Sequence, residues 1–247
     1  IVYLYSNKAL ESIAGLKNLQ TNLTGDFTVS YNDSLLSLTG LEGIKEVNNL
    51  TLVSNDMLPN LTGLGLEKVA GTVRVAGHDS LNSLQGLEGL DKLYWELRIE
   101  DNPQLLNVDA LSNISGLTGG RIRIANNAKL ENLNGLAGIN KVNTELVLDN
   151  LASLENLSGL AQLEEIAGNL TIQKCNSLKD LSGLKALSSA QTIRVQYNDE
   201  LLTLDLPAFG DTIDGSLHIV GNQSLTSIAS LARVTDLKGG LYIGKNE

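Results

Sequence analysis

The chain has 247 residues, 42% hydrophobic and 19% charged, and carries a net charge of −10. That excess of acid excludes a nucleic-acid partner, whose phosphates demand a basic surface, and no apolar run in this segment reaches the ~20 residues of a membrane-spanning helix. A single cysteine excludes an internal disulfide, and aromatics at 4% leave Leu, Ile and Val to fill the interior.

The first element is the triplet Val2-Tyr3-Leu4, followed at intervals of three by Asn7, Leu10 and Ile13. The series restarts at Phe27-Thr28-Val29 with Asn32, at Leu50-Thr51-Leu52 with Asn55, and at Val73-Arg74-Val75 with His78. It continues through Leu97-Arg98-Ile99 with Asn102, Ile122-Arg123-Ile124 with Asn127, and Leu146-Val147-Leu148 with Leu151. Leu170-Thr171-Ile172 with Cys175, Ile193-Arg194-Val195 with Asn198, Leu217-His218-Ile219 with Asn222 and Leu241-Tyr242-Ile243 with Asn246 complete it. The anchors are 23 to 25 residues apart, and Leu stands three places after each of the first ten. Apolar residues two apart with a polar one between them describe a strand with one buried face. A second short strand is expected over the Leu at +3 and the aliphatic at +6. Glycines near the unit ends (Gly25, Gly71, Gly168, Gly215) mark turns that need positive φ. Units this short cannot bury an apolar face alone, so they must stack, each strand pairing with its equivalent in the next coil. No linker interrupts the period, so residues 1–247 are expected to form one domain.

The segments "FTVSYNDSLLSLTGLEGIKEVNN" and "LTIQKCNSLKDLSGLKALSS" resemble the leucine-rich-repeat superfamily, in its receptor L-domain variety. The resemblance spans essentially the whole chain. It implies a mainly β fold: a right-handed solenoid of about ten stacked leucine-rich coils of 23–25 residues with a parallel sheet. Such repeats belong to extracellular and cell-surface proteins, which implies an adhesion or recognition role outside the cell. The repeat count exceeds one receptor L domain and disulfide-bonded flanks are lacking, so a surface protein fits better than a growth-factor receptor. The chain begins and stops within a repeat, so a longer protein is expected, with further domains or self-assembly covering both ends.

The anchor column (Asn7, Asn32, Asn55, His78, Asn102, Asn127, Leu151, Cys175, Asn198, Asn222, Asn246) is expected to form an inward row whose amides satisfy buried backbone groups. Cys175 then fills a structural slot. On this register His78 lies four coils away, roughly 19 Å at sheet spacing, too far for a thiolate–imidazole pair. Leu151 offers no amide, and Asn150 stands one place early, which calls for a bulge or a water.

The central residue of each triplet should point outward, and four of the six arginines fall there: Arg74, Arg98, Arg123 and Arg194. Glu96, Glu100, Arg121, Glu145 and Asp149 flank them. Arg74, Arg98, Arg123, Glu96, Glu100, Trp95 and Tyr94 are therefore the candidate ligand-binding residues. Guanidinium forks would take a partner's carboxylate, sulfate or glycan, and the indole would stack on a sugar or an arginine. An exposed cross-strand charge ladder is the alternative use of the same residues. Asp33, Asp56 and Asp79 form a carboxylate column with too few converging oxygens for calcium. A column of Ser12, Ser37, Asn60, Ser83, Asn107, Asn132, Asn156, Asp180, Thr203 and Ser227 raises an ice-binding reading, which its mixed composition opposes.

Eight Asn-x-Ser/Thr sequons occur, more than composition supplies, which fits a secreted glycoprotein. Asn22, Asn49, Asn60, Asn113, Asn156 and Asn169 are the candidate acceptors. Asn32 and Asn222 belong to the inward row and should be bare. No nucleophile–base pair, metal cluster, cofactor motif or phosphate-cradling loop is present. "GLTGG" and "GGLYIG" fall in repeat turns, and "DLPAFGDTID" puts Pro207 where Leu is usual. The reading is a non-enzymatic recognition or adhesion module that binds an extracellular protein or glycan through its strand face. The alternative is a structural component of a surface layer, filament or cell wall.

Overall fold

The computed structural model describes residues 1–19, 25–206 and 212–246. Asn22 and Pro207 lie outside the described residues. Eleven strands of four or five residues, from Val2–Tyr5 to Leu241–Gly244, pair in chain order into one parallel sheet. The chain is thus a β-solenoid of ten turns between its first and last strand. The triplets make the strands: in Phe27–Ser30, Leu50–Val53, Val73–Ala76, Leu97–Glu100 and Ile122–Ala125 the first and third residues are buried and the second is half-exposed. Equivalent residues stand in register, so Thr51, Arg74, Arg98, Arg123 and Val147 are successive partners across five strands.

After each strand the chain leaves the sheet through one left-handed residue. Ser6, Tyr31, Ser54, Gly77, Asp101, Asn126, Asn150, Lys174, Tyr197, Gly221 and Lys245 all have φ between 50° and 71°. Their N–H groups still bond to the next strand, as Tyr31 does to Val53 and Asp101 to Ala125. The left-handed step then swings the anchor inward. It also settles "LDNLASL". The strand Glu145–Asp149 runs in unbroken register with both neighbours, Asn150 takes the left-handed place, and Leu151 is the buried anchor. Gly25, Gly71, Gly168 and Gly215 do not have the expected positive φ; close approach of the neighbouring coil is the reason for glycine at Gly168, where a Cβ would sit 1.8 Å from the Thr144 carbonyl oxygen.

The expected second strand at +3 and +6 is not there. From Leu35 to Leu204 those residues are buried, but in irregular backbone; in the end coils Leu10 and Leu225 are half-buried and Ile228 is exposed. The short strands Glu46–Val47, Lys68–Val69, Gly116–Thr118, Ile139–Val142, Glu165–Ile166, Thr212–Ile213 and Asp236–Leu237 come later in the coil and form three small parallel sheets. The reason is the burial period. Leu35, Leu38, Leu41, Ile44, Val47 and Leu50 are all buried, one in three, whereas a strand alternates one in two. A period of three suits 3₁₀ turns and extended left-handed backbone, and Asp109–Leu111, Asn134–Leu136, Ser158–Leu160 and Ser182–Leu184 are 3₁₀ turns stacked on one another.

Candidate functional site

The anchor row is continuous through the interior. Asn32, Asn55, His78, Asn102, Asn127, Leu151, Cys175, Asn198 and Asn222 are fully buried. The end members differ, Asn7 being exposed and Asn246 half-buried. The N–H of Asn32 donates to Asn55 Oδ1 at 3.1 Å, and Asn32 Nδ2 donates to the Leu4 carbonyl at 3.0 Å in the preceding strand. Asn102, Asn198 and Asn222 repeat that pattern, and Asn127 and Asn246 make the same amide donation to Ile99 and Ile219. His78 imitates it: Nδ1 accepts the Asn55 N–H and Nε2 donates to the Leu52 carbonyl, both at 3.2 Å. Cys175 imitates it poorly, with Sγ 4.0 Å from the Leu148 carbonyl. Burial pushes the thiol up to about 12, so it stays protonated and unreactive at neutral pH.

The strand face carries the charges. Glu100 is 6% exposed and uses both oxygens: Oε2 accepts from Arg98 at 2.8 Å and Oε1 from Arg123 at 2.5 Å. Arg123 also reaches Asp149 at 3.6 Å. Arg121 is paired with Glu145. Glu96 meets Arg98 and Arg121 only loosely, at 3.9 and 3.8 Å. Thus the structure brings together Arg98, Arg123, Glu96 and Glu100 in one network with Arg121, Glu145 and Asp149. Arg74 stands beside Arg98 in register but outside the network, and its buried Nε has no hydrogen-bond partner. Its own outward strand neighbours, Thr72 and Ala76, and those on the preceding strand, Asn49 and Val53, offer no carboxylate; on the following strand Glu100, opposite Ala76, is taken up by Arg98 and Arg123, and Glu96 leans to Arg98 and Arg121.

The outward positions of all eleven strands, including the residue before each, hold five of the six arginines and none of the twelve lysines. Against Arg74, Arg98, Arg121, Arg123 and Arg194 stand Asp26, Glu96, Glu100, Glu145 and Asp149. The face is therefore balanced on a molecule that is strongly acidic elsewhere. The arginine column ends at Val147, which is buried. Farther along, His218 stacks on Tyr242 with ring centres 4.4 Å apart. Tyr94 lies at the turn, with Lys68 Nζ 5.6 Å over its ring, and Trp95 is exposed beside Glu96 and Arg121.

Two other columns are structural. In the small polar column, nine members accept the backbone N–H two residues on, from Ser12 and Ser37 through Asn107 and Asp180 to Ser227. Their oxygens are committed to their own turns, which leaves little for ice. The second column is the left-handed one, where Asn150 bonds to Asn126 and Asn126 to Asp101 in an outer ladder that no triplet pattern announced. Asp33, Asp56 and Asp79 converge enough for burial, then Asp79 and Asp33, to push the Asp56 carboxyl up. Among the described residues no group of His, Cys, Asp and Glu could hold a metal ion.

The candidate sequons divide by position. Asn113 and Asn156 are exposed, and Asn60 is half-buried. The Asn113 amide donates to the Glu88 carbonyl. Asn49 and Asn169 lie beside or within strands. Asn49 is held on both sides, donating to Asp26 and accepting from the Thr72 N–H, each at 2.7 Å. Comparison of the chain with family models, with curated proteins and with solved structures finds no match.

Proposed function

We propose that the chain is a non-enzymatic recognition module, which binds an extracellular protein or glycan through the outward face of its parallel sheet and docks an acidic group on Arg74. The single observation that supports this is the isolation of Arg74. Every other arginine of the central patch is answered by a carboxylate of the chain itself, whereas Arg74, among the described residues, keeps an unpartnered Nε and forms no ion pair. A guanidinium held half-buried beside a rigid network is oriented before a ligand arrives, which lowers the ordering cost of a bidentate contact. The preference for arginine over lysine on this face points the same way, since the planar fork suits carboxylate and sulfate geometry. The net charge of −10 repels polyanions at long range, so the partner presents a single carboxylate or sulfate on an otherwise neutral or basic surface. The resemblance to surface-protein repeats supports an encounter outside the cell.

The test is a screen of immobilised glycans and recombinant extracellular domains, comparing the wild type with Arg74→Gln and Arg194→Gln. Arg74→Gln should weaken the selected interaction at least about tenfold and Arg194→Gln should leave it unchanged. Equal affinity for the wild type and Arg74→Gln would remove Arg74 as the docking point.

A further inference from the structure

Trp95 occupies a place that the repeat otherwise keeps small. Three residues before the central strand residue, six of the ten coils that have this place carry glycine, including Gly71 and Gly120 in the coils on either side. Trp95 is 63% exposed, which leaves apolar area on the order of 100 Å² facing water. The ring fills no gap in the core. The neighbouring backbone does need closeness: a Cβ on Gly119 would sit 1.7 Å from the Tyr94 carbonyl oxygen, and one on Gly120 would sit 2.3 Å from that of Trp95. The same two glycines leave a bare floor beside the indole.

That floor belongs to a notch of about 380 Å³ lined by Trp95, Glu96, Gly119, Gly120, Arg121 and Thr144, at the small end of the range for ligand sites. Its polar rim has capacity to spare. Glu96 stands 3.9 and 3.8 Å from its arginines, too far for hydrogen bonds, so its oxygens can accept from a ligand. Arg121 gives its Nε to Glu145 and keeps its terminal N–H groups for the notch. One carboxylate and one guanidinium line the notch, so a ligand's own charge gains nothing there. An exposed aromatic face, a mixed donor and acceptor edge and a neutral balance fit one ligand chemistry: a ring with an apolar C–H face and a rim of hydroxyls.

We propose that this notch binds a neutral saccharide, with one pyranose face stacked on Trp95 and its hydroxyls bonded to Glu96 and Arg121. The site does not depend on what docks at Arg74. Because Trp95 is the only tryptophan, the tryptophan emission of the whole chain, excited selectively over its tyrosines, reports on this notch alone. The experiment titrates the chain with neutral cello-, malto-, laminari- and chitooligosaccharides, following emission and, by calorimetry, heat. At least one series should give a saturable change, lost at least tenfold in Trp95→Ala and partly kept in Trp95→Phe, as about 1.4 kcal/mol per tenfold requires. Arg74→Gln should leave the affinity unchanged, which separates this site from the strand-face reading. Circular dichroism of Trp95→Ala confirms that the exposed substitution leaves the fold intact. No saturable change up to about 10 mM, retained heat in Trp95→Ala, or tighter binding of a sialylated or uronic sugar than of every neutral one would overturn the proposal.

Discussion

At the anchor slot an asparagine side chain does two things at once: its oxygen accepts the preceding anchor's N–H, and its nitrogen donates to a strand carbonyl in the preceding coil. His78 does both with its two ring nitrogens when the ring is neutral with its proton on Nε2. Burial holds its pKa below the ordinary value of 6.5. Below pH 6.5 the unfolded chain takes up a proton that the folded chain resists, so the stability from His78 is complete above that value and is lost as pH falls. Urea unfolding should show a loss of up to ~1.4 kcal/mol per pH unit in that window. His218 shifts in the same direction, from burial and Arg194, so His78→Asn is the control: it should remove the anchor's share and leave the remainder. Cys175 does neither task well. In the native state it should resist thiol reagents and react only on unfolding. Cys175→Asn, which supplies the amide that the slot receives elsewhere, should stabilise by about 0.5–1.5 kcal/mol, read as a higher urea midpoint. A lower midpoint would mean that the slot around Leu148 has closed around the thiol.

Within each coil, the strand was legible from the triplets because alternation has one physical meaning, a pleated segment with one wet face. The far side departs from the strand expected at +3 and +6 because the continuing run Leu35, Leu38, Leu41, Ile44, Val47 has a period of three, which a pleated strand cannot bury on one face. The left-handed corner was visible only where Gly77, Gly221 and Asn126 announce it; Tyr31, Lys174 and Tyr197 sit there as well, held by the sheet bond before them and the buried anchor after them. The outward arginines were legible by register. Their pairing was not, because which carboxylate meets which guanidinium depends on side-chain reach rather than on position. Glu100 joins two strands' arginines at hydrogen-bond distance, where Glu96 reaches two only loosely. Glu100→Gln should therefore cost about 1–3 kcal/mol in urea unfolding, whereas Arg74→Gln, outside the network, should cost less than about 0.5.

Across the whole molecule, from the second strand to the tenth, burial of the strand residues follows position in the repeat, and at the C-terminal end Leu241 and Ile243, with no following coil described, are exposed. Each coil contacts its neighbours through the same few places, so one frame sets the inner row, the wet face and the turn edge along the solenoid. The charge is arranged on the same frame. The strand face is balanced while the molecule carries −10, so the excess acid sits on the edges and the opposite side. Adjacent leucines test the frame most directly, since chemistry and local sequence are held constant and only position changes. Leu105 is 0% exposed and Leu106 is 41% exposed. Measured by urea unfolding, Leu105→Ala should cost about 2–5 kcal/mol and Leu106→Ala less than about 1; equal costs for the pair, or the larger cost at Leu106, would contradict the account.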